Sequence, residues 1–390
     1  MSKKIVLAYS GGLDTSCCIA YLLEKGYEVV CFSANLGSEF SPSDLKKRAL
    51  TSGASKVYIK DLRWEFAKQF ILPSLMADAV YEGKYVLSTA LGRPLIAKHL
   101  VEVAKKEKAT AVAHGCSAKG NDQVRLDATI KILNPRLKIV APLREWHLTS
   151  RESELEYAKE KKLPIMASKE KIYSIDKNIW GVSIEAGTLE NLNNEPKDDA
   201  YLMTQSPFKA PNKPEYISIT FEEGVPVALN NKKMDLVSLV EKLNEIGGRH
   251  AVGRTDLIED RTVGIKSREV YEAPAAWILI AAHKELESLV LDKETIYFKE
   301  IVALKYAQLV YQGLWFSKLR ESLDVFVQNT QELVSGKITL RLYKGNIIVA
   351  KRNSKNSLYK KELATYGKKD KFDKTSAEGF INIFSMPFMR

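Results

Sequence analysis

The sequence predicts an α/β protein: a doubly wound parallel sheet over residues 1–165, an α+β domain over 166–353, and an extended C-terminal tail over 354–390. Three observations carry this reading. Short apolar runs alternate with helically spaced segments as far as Pro164. A glycine pair separates the first apolar run from the first helix. After Pro164 the rhythm breaks, and Ser, Asn, Asp and Pro cluster between Ser174 and Pro214 as loops and a boundary. A length of 390 residues also exceeds the roughly 250–300 at which single cores stop growing, so two domains are expected.

Residues 4–9 form a short apolar run that reads as a buried parallel strand. Cys18, Ile19, Leu22 and Leu23 then fall at helical spacing between Thr15 and Lys25, and Gly26 is a C-terminal stop. The unit repeats with a strand over 28–34 and a helix opened by Ser41 as N-cap and Pro42 as first helical residue, ending near Gly53. Further on, 57–59 is a strand, 64–80 and 93–106 are helices, 110–113 is a strand and 121–133 a helix. Lys138–Leu143 is a strand, and Thr149 with Glu152 has capping-box spacing ahead of a helix to Lys162. The second domain shows a hairpin at Glu223-Gly224, helices over 235–246 and 273–291, and a hairpin turning at Lys344-Gly345-Asn346. The tail is rich in lysine, has few helical patterns and ends in an apolar stretch, Phe380–Met389, expected to pack on a neighbouring subunit.

Composition narrows the function classes. An apolar fraction of 45% with 27% charged residues is that of a globular protein, and no run approaches the roughly 20 apolar residues that span a bilayer. Five apolar residues before Ser10 are too few for a secretory signal, so a cytoplasmic location is expected. The four cysteines, Cys17, Cys18, Cys31 and Cys116, include no CxxC pair, which argues against disulfides and structural zinc. The net charge of +11 is spread along the chain and is thickest between Lys351 and Lys374. It reads as solvated or subunit-facing surface with attraction for anionic small molecules, and not as a nucleic-acid footprint.

The strongest chemical signal is Ala8-Tyr9-Ser10-Gly11-Gly12-Leu13-Asp14-Thr15-Ser16, set between a strand and a helix. Backbone amides of a Gly-rich turn at a helix N-terminus form a concave anion site, and Ser10, Thr15 and Ser16 add hydroxyl donors. The spacing differs from a Walker sequence, and no lysine follows. A second Gly-containing loop, from His114 to Arg125, also leaves a strand end, so both loops face one crevice. In it Lys119 offsets phosphate charge, Asn121 donates and accepts, Asp122 takes an amine's hydrogens, and Arg125 grips a carboxylate with two parallel bonds. Taken as residues alone, Asn121 also reads as a helix cap and Arg125 as a surface cation.

The Ser-Gly-Gly-x-Asp-Thr-Ser pattern resembles the pyrophosphate loop of the N-type ATP pyrophosphatases, which cleave ATP between its α and β phosphates. That superfamily also contains enzymes that modify transfer RNA, and such a tRNA-modifying enzyme is the alternative reading. Three further segments, running from Tyr85 to Lys98, His114 to Arg125 and Val263 to Pro274, are similar to argininosuccinate synthase and occur in its order across both domains. The resemblance implies an adenine nucleotide alpha hydrolase-like first domain, a synthetase and multimerisation domain, and an oligomerisation tail. It implies ATP contacts at Ala8, Tyr9, Ser10, Gly11, Gly12, Leu13, Asp14, Thr15, Ser16, Ala34 and Gly115. Citrulline falls to Tyr85, Asn121, Arg125, Ser174, Ser183, Glu259 and Tyr271, and aspartate to Ser117, Asn121 and Asp122. From the residues alone Ser174 and Ser183 also read as turn caps, and Tyr271 as core.

The implied reaction joins citrulline and aspartate into argininosuccinate with release of AMP and pyrophosphate, as in arginine biosynthesis. The ureido oxygen attacks the α-phosphorus to give a citrullyl adenylate, and the aspartate amine then displaces AMP. Asp122 accepts or orients the amine protons. Mg²⁺ accompanies ATP, Asp14 is a candidate indirect contact to it, and no direct side-chain metal ligand is predicted. A homotetramer is implied, without nucleic acid or membrane as partners. The chain departs from the family's commonest pattern at Ala90, which removes a hydroxyl usually assigned to citrulline, and at Ser117-Ala118, which replaces Thr-Gly.

Overall fold

A computed structural model describes residues 3–38, 41–146, 151–164 and 173–390. β1 (Lys3–Ala8) leads through α1 (Leu13–Glu24) to β2 (Tyr27–Asn35), and α2 (Pro42–Thr51) to β3 (Lys56–Asp61). A broken helical segment follows, α3 (Arg63–Phe66) and α4 (Leu72–Met76), joined by a π-type turn at Ala67–Ile71. Then come α5 (Ser88–Lys106), β4 (Ala111–His114), α6 (Asn121–Leu133), β5 (Lys138–Val140), α7 (Pro142–Glu145) and α8 (Arg151–Glu160).

These five strands are parallel and ordered β3-β2-β1-β4-β5, the doubly wound sheet expected from the alternation. Successive residues of a strand face opposite sides, and here both sides are covered. Val6, Val30, Phe32 and Val112 enter one apolar core with α5. Ile5, Leu7, Val29, Cys31, Ala111 and Ala113 enter another with α1. That double burial is why the central strands β1, β2 and β4 read as unbroken apolar runs.

The second half contains β6 (Ser174–Asn178), β7 (Gly181–Glu185), β8 (Glu215–Glu222), β9 (Val225–Leu229), β10 (Lys232–Lys233) and α9 (Leu236–Arg249). It continues with β11 (Arg254–Asp260), β12 (Lys266–Glu272), α10 (Pro274–Val290), α11 (Lys293–Tyr311), α12 (Lys318–Gln331), β13 (Gly336–Tyr343) and β14 (Asn346–Asn353), and ends in α13 (Lys361–Ala364) and α14 (Thr375–Ser385). The strands make two antiparallel sheets, β11-β12-β7-β6 and β10-β9-β8-β13-β14. The larger apolar core runs without interruption from the parallel sheet to Leu342 of β13, so the two halves share it.

Several sequence expectations are corrected. The helix expected over 64–80 stops at Met76 and is broken by the π-type turn, because Pro73 cannot continue an unperturbed hydrogen-bond ladder. The helix expected from Arg93 begins at Ser88, with Pro94 inside it. Tyr85 Oη accepts the amides of Thr89 and Ala90, both at 3.1 Å, a cap that a proline rule does not anticipate. β5 ends at Val140 because Pro142 starts a helix. Ser174 and Ser183 lie in strands, not loops: β6 is a polar edge strand held by its register with β7, a state with no apolar alternation to announce it. The tail forms α14, whose first amides are received by Asp373 Oδ1. α11 and α12 occupy a stretch for which the sequence pattern predicts nothing. The capping residue expected at Thr149 lies outside the described residues.

Candidate active site

The parallel sheet reverses its winding direction between β1 and β4, and the loops that leave these strands open into one cleft of about 460 Å³. Ser10, Asp14, Thr15, Gly115, Ser117, Asn121 and Asp122 reach it from the two loops. Facing them are Ser174, Ser183, Glu259 and Tyr271, all four from the β11-β12-β7-β6 sheet. Ala8, Tyr9, Ala34, Tyr85 and Arg125 complete the lining members of the expected set. Gly11, Gly12, Leu13 and Ser16 do not line the cleft; they build the turn behind it.

That turn is tightly specified. Gly11 takes φ +79°, which disfavours any other residue, and a Cβ there would stand 2.5 Å from Leu45 Cδ1 of α2, which would have to shift. Its carbonyl accepts from Arg48 Nη1 at 2.8 Å. The Gly12 amide meets Ser10 Oγ at 3.3 Å, and Ser10 Oγ lies 3.1 Å from Thr15 Oγ1. Ser16 Oγ is committed to the Gly12 carbonyl at 2.8 Å, a bond within the first helical turn. Asp14 lies in that turn, and its carboxylate makes no hydrogen bond or ion pair among the described residues.

The second loop is fixed from below. His114 Nδ1 receives the Cys116 amide at 3.2 Å, and its Nε2 faces Asp127 Oδ1 at 2.8 Å. This assigns the ring proton to Nε2, and Arg144 holds Asp127 in turn at 2.7 Å. Burial pushes the Cys116 thiol up to about 12, so it is not a ready nucleophile. Asn121 is held at both ends of its amide. Its Nδ2 donates to Tyr311 Oη at 2.8 Å and Glu259 Oε1 at 3.4 Å, and its Oδ1 accepts from the Thr262 amide at 2.8 Å.

Charge in the cleft is paired across elements. Asp122 accepts from Arg93 at 2.6 Å and Arg125 at 3.1 Å, while Arg93 also bonds Asp176. Burial works against the Asp122 charge, but the two guanidinium groups outweigh it and hold the carboxyl below the usual range. Arg125 is buried; its Nε donates to the Tyr311 carbonyl at 2.8 Å, and its Nη2 finds no partner among the described residues. Glu259, 2% exposed, accepts from the hydroxyls of Tyr271 and Tyr311, both at 2.5 Å. Burial raises its carboxyl, and the two hydroxyls restrain that rise. Tyr271 stacks on Tyr85 with ring centres 4.1 Å apart. Glu185 and Glu269 share Arg261, and burial together with their mutual repulsion pushes Glu185 up to about 7.

Sequence reasoning leaves Arg93, Asp176, Glu185, Arg261, Glu269 and Tyr311 unassigned. Arg93 and Glu269 sit inside segments quoted for their pattern, so a signal existed; Tyr311 closes a helix far along the chain and offers none. The departures are accommodated. Ala90 is buried beneath the wall, and Thr89 turns its hydroxyl to the cleft, 3.3 Å from Ser183 Oγ. Ala118 is exposed, and its backbone is not left-handed.

The arrangement can hold an extended anion along two amide-bearing loops and place two amino acids beside it, one on Arg125 and Glu259, one on Asp122. Comparisons with known proteins match both halves of the chain. The family profile of the arginosuccinate synthase N-terminal HUP domain matches residues 4–164, and that of the arginosuccinate synthase C-terminal domain matches 173–390. Argininosuccinate synthase of Carboxydothermus hydrogenoformans is 53% identical over 388 residues, 99% of this chain and 97% of the relative. That of Caldanaerobacter subterraneus subsp. tengcongensis is 55% identical over 385 residues, 98% and 94% of the two chains. Among solved structures, a 4-thiouridine synthetase in complex with RNA and bound ATP covers 41% of this chain and 40% of its own, with 18% identity and a TM-score of 0.30, too distant to bear on function.

Proposed function

The chain belongs to the argininosuccinate synthase family, and we propose that its cleft binds ATP along the β1 and β4 loops and the two amino acids against the second sheet. The reaction is the ATP-dependent ligation of citrulline and aspartate to argininosuccinate, with release of AMP and pyrophosphate, in arginine biosynthesis. The tRNA-modifying alternative is not favoured, since the family match spans nearly the full chain.

The observation that carries the site assignment is the convergence of Ser10 from the first loop, Asp122 and Arg125 from α6, and Glu259 from an antiparallel sheet on a single cleft. ATP lies with its adenine end by Ala8 and Ala34, and its phosphates at Tyr9–Ser16 and Gly115. The open Nη2 of buried Arg125 supports a carboxylate there, and we assign it to citrulline, with Tyr85, Asn121, Ser174, Ser183, Glu259 and Tyr271 around the rest of that substrate. The ureido oxygen attacks the α-phosphorus and the bond to pyrophosphate breaks. Aspartate sits by Ser117, Asn121 and Asp122; its amine attacks the activated carbon, AMP leaves, and the amine proton is lost to solvent. Asp122, held ionised by two guanidinium groups, orients the amine by accepting its hydrogens and is a weak base. Positioning and charge neutralisation supply the rate.

Mg²⁺ fits this scheme as a companion of the ATP phosphates, neutralising their charge, and the uncommitted carboxylate of Asp14 suits an indirect, water-separated contact. We further divide the chain into a nucleotide domain (1–165), a synthetase and multimerisation domain (166–353) and an oligomerisation tail (354–390) of a cytoplasmic homotetramer. The apolar side chains that α14 leaves exposed support the tail's role. No helix among the described residues is long and apolar enough to cross a membrane.

The test is pyrophosphate release from purified protein with Mg-ATP plus citrulline, aspartate or both, with the product mass recorded. Steady release that needs both amino acids, with argininosuccinate formed, is expected. Release indifferent to either would overturn the assignment.

A further inference from the structure

Tyr311 does not line the cleft, yet it touches three residues of the citrulline wall by three different means. Its hydroxyl has one hydrogen, given to Glu259 Oε1 at 2.5 Å, and accepts from Asn121 Nδ2 at 2.8 Å. Its carbonyl accepts from Arg125 Nε at 2.8 Å. Its ring lies under the Arg125 guanidinium, 4.8 Å from the ring centre.

The main-chain contact follows from where α11 ends. The last carbonyls of a helix have no partner in the helix and carry its negative pole, so a buried guanidinium is a fitting acceptance partner for Tyr311. The close approach depends on Gly313 (φ +76°), where a Cβ would stand 2.5 Å from Arg125 Cα, and Thr129 Oγ1 of α6 ties the Gly313 carbonyl at 3.2 Å. The ring has its own support. It stacks face to face on Tyr81 at 3.6 Å and 7°, and Tyr81 Oη is anchored on the Asp260 carbonyl at 2.9 Å, one residue from Glu259.

We infer that Tyr311 is a positioning residue for citrulline, setting the Glu259 carboxylate, the Asn121 amide and the Arg125 guanidinium in one geometry through its hydroxyl, ring and main-chain carbonyl. This rests on the assignment of Glu259 and Arg125 to citrulline made above. With Nε and Nη1 of Arg125 fixed on Tyr311 and Asp122, its Nη2 is left directed for a ligand, and rotation of the guanidinium would break both bonds. The hydroxyl also tunes Glu259. The groups that face this carboxyl are Tyr271, Tyr311 and Asn121 by hydrogen bond, and Arg125, Arg261, Glu269, Tyr81 and Tyr85 through charge or ring contact. Loss of one hydroxyl donor leaves burial less opposed, so the carboxyl titrates higher.

The experiment is steady-state kinetics of the full chain with saturating Mg-ATP and aspartate, across pH, for Tyr311→Phe, Tyr81→Leu and Glu259→Gln. Tyr311→Phe keeps the ring and the carbonyl. It is expected to raise the citrulline KM about tenfold, the loss of one hydrogen bond to a charged group. The KM for ATP should stay within about twofold, a split that general loosening of the fold would not give. The acid limb of citrulline binding should also move to higher pH. Tyr81→Leu loosens the ring without removing either hydrogen bond, and a rise of about threefold in the same KM is expected. Native citrulline KM and acid limb in both tyrosine variants, with Glu259→Gln impaired, would overturn the role of Tyr311 alone. A native citrulline KM in Glu259→Gln would overturn the pocket assignment itself, and the inference with it.

Discussion

Arg48 and Gly11 are joined by a bond that sets the direction of a peptide plane: Arg48 Nη1 donates to the Gly11 carbonyl at 2.8 Å. In a trans peptide the carbonyl oxygen and the next amide hydrogen point opposite ways, so this bond turns the Gly12 N–H toward Ser10 Oγ, at 3.3 Å. A flipped peptide would turn an oxygen instead of a donor toward Ser10 Oγ and disturb the turn proposed to hold phosphate. Arg48→Met is expected to raise the KM for ATP about tenfold, the value of one charge-assisted bond, with the citrulline KM within about twofold. Initial-rate kinetics check this, and Arg48→Lys should recover part of the loss.

Asp122→Asn keeps the size of the side chain and removes the charge held by Arg93 and Arg125. Rapid-quench experiments with ATP and citrulline should show pyrophosphate formed at a near-native rate, and the step with aspartate slowed by roughly a hundredfold. An unimpaired second step would remove its proposed role.

Glu185 is pushed up to about 7 by burial and by Glu269, so near neutrality the Glu185–Glu269–Arg261 group changes charge beside the cleft. The protonated form predominates below this value and the carboxylate above it. The pH profile of kcat/KM for citrulline should bend near 7, and Glu185→Gln should erase that bend. A bend that persists in the variant assigns it elsewhere.

The buried cluster of Asp78, His283, Glu287 and Lys299 ties the end of α4 to α10 and α11. Asp78, His283 and Glu287 could hold a metal by their spacing, but the Lys299 ammonium lies between the two carboxylates, 3.1 Å from Glu287 and closer to Asp78. Asp78→Asn leaves that ammonium half-paired and should cost about 3–5 kcal/mol in urea unfolding. A chelator should leave the native Tm unchanged. Burial opposes the Asp78 charge, yet Lys299 and His283 hold its carboxyl well below the usual range. The stability it contributes is therefore full above the unfolded value near 3.8 and is lost only as pH falls through the lower folded one.

Phe380, Ile383, Phe384 and Phe388 of the tail are each more than half exposed, although Phe380 and Phe384 stack on one another. Truncation after Asn353 should reduce the native oligomer to a smaller species in sedimentation equilibrium. An unchanged mass would leave the tail without its proposed role.

The parallel sheet was legible because both faces of its centre are buried: Ile5 and Val6 enter different cores, and β1, β2 and β4 each carry an uninterrupted apolar run. The glycine turn after β1 was legible because Gly11 has a left-handed backbone and its neighbours carry hydroxyls in fixed order. What stayed hidden depends on partners far away in sequence. β6 is polar and exists by pairing with β7; α5 begins five residues before Arg93 because the Tyr85 hydroxyl caps it; Tyr311 bears on Asn121 from 190 positions away. Local pattern carries no trace of a contact made at that separation.

The placement of Tyr311 at the close of α11 also has a meaning in time. During synthesis, the two loops and all five parallel strands precede residue 165, so the parts proposed to hold ATP are made early. The geometry that receives the acceptor is incomplete until residue 311 has emerged and docked on α6. On the proposed assignment, a chain halted before residue 311 lacks the residue that ties Asn121, Arg125 and Glu259 together, so its acceptor pocket is not yet fixed.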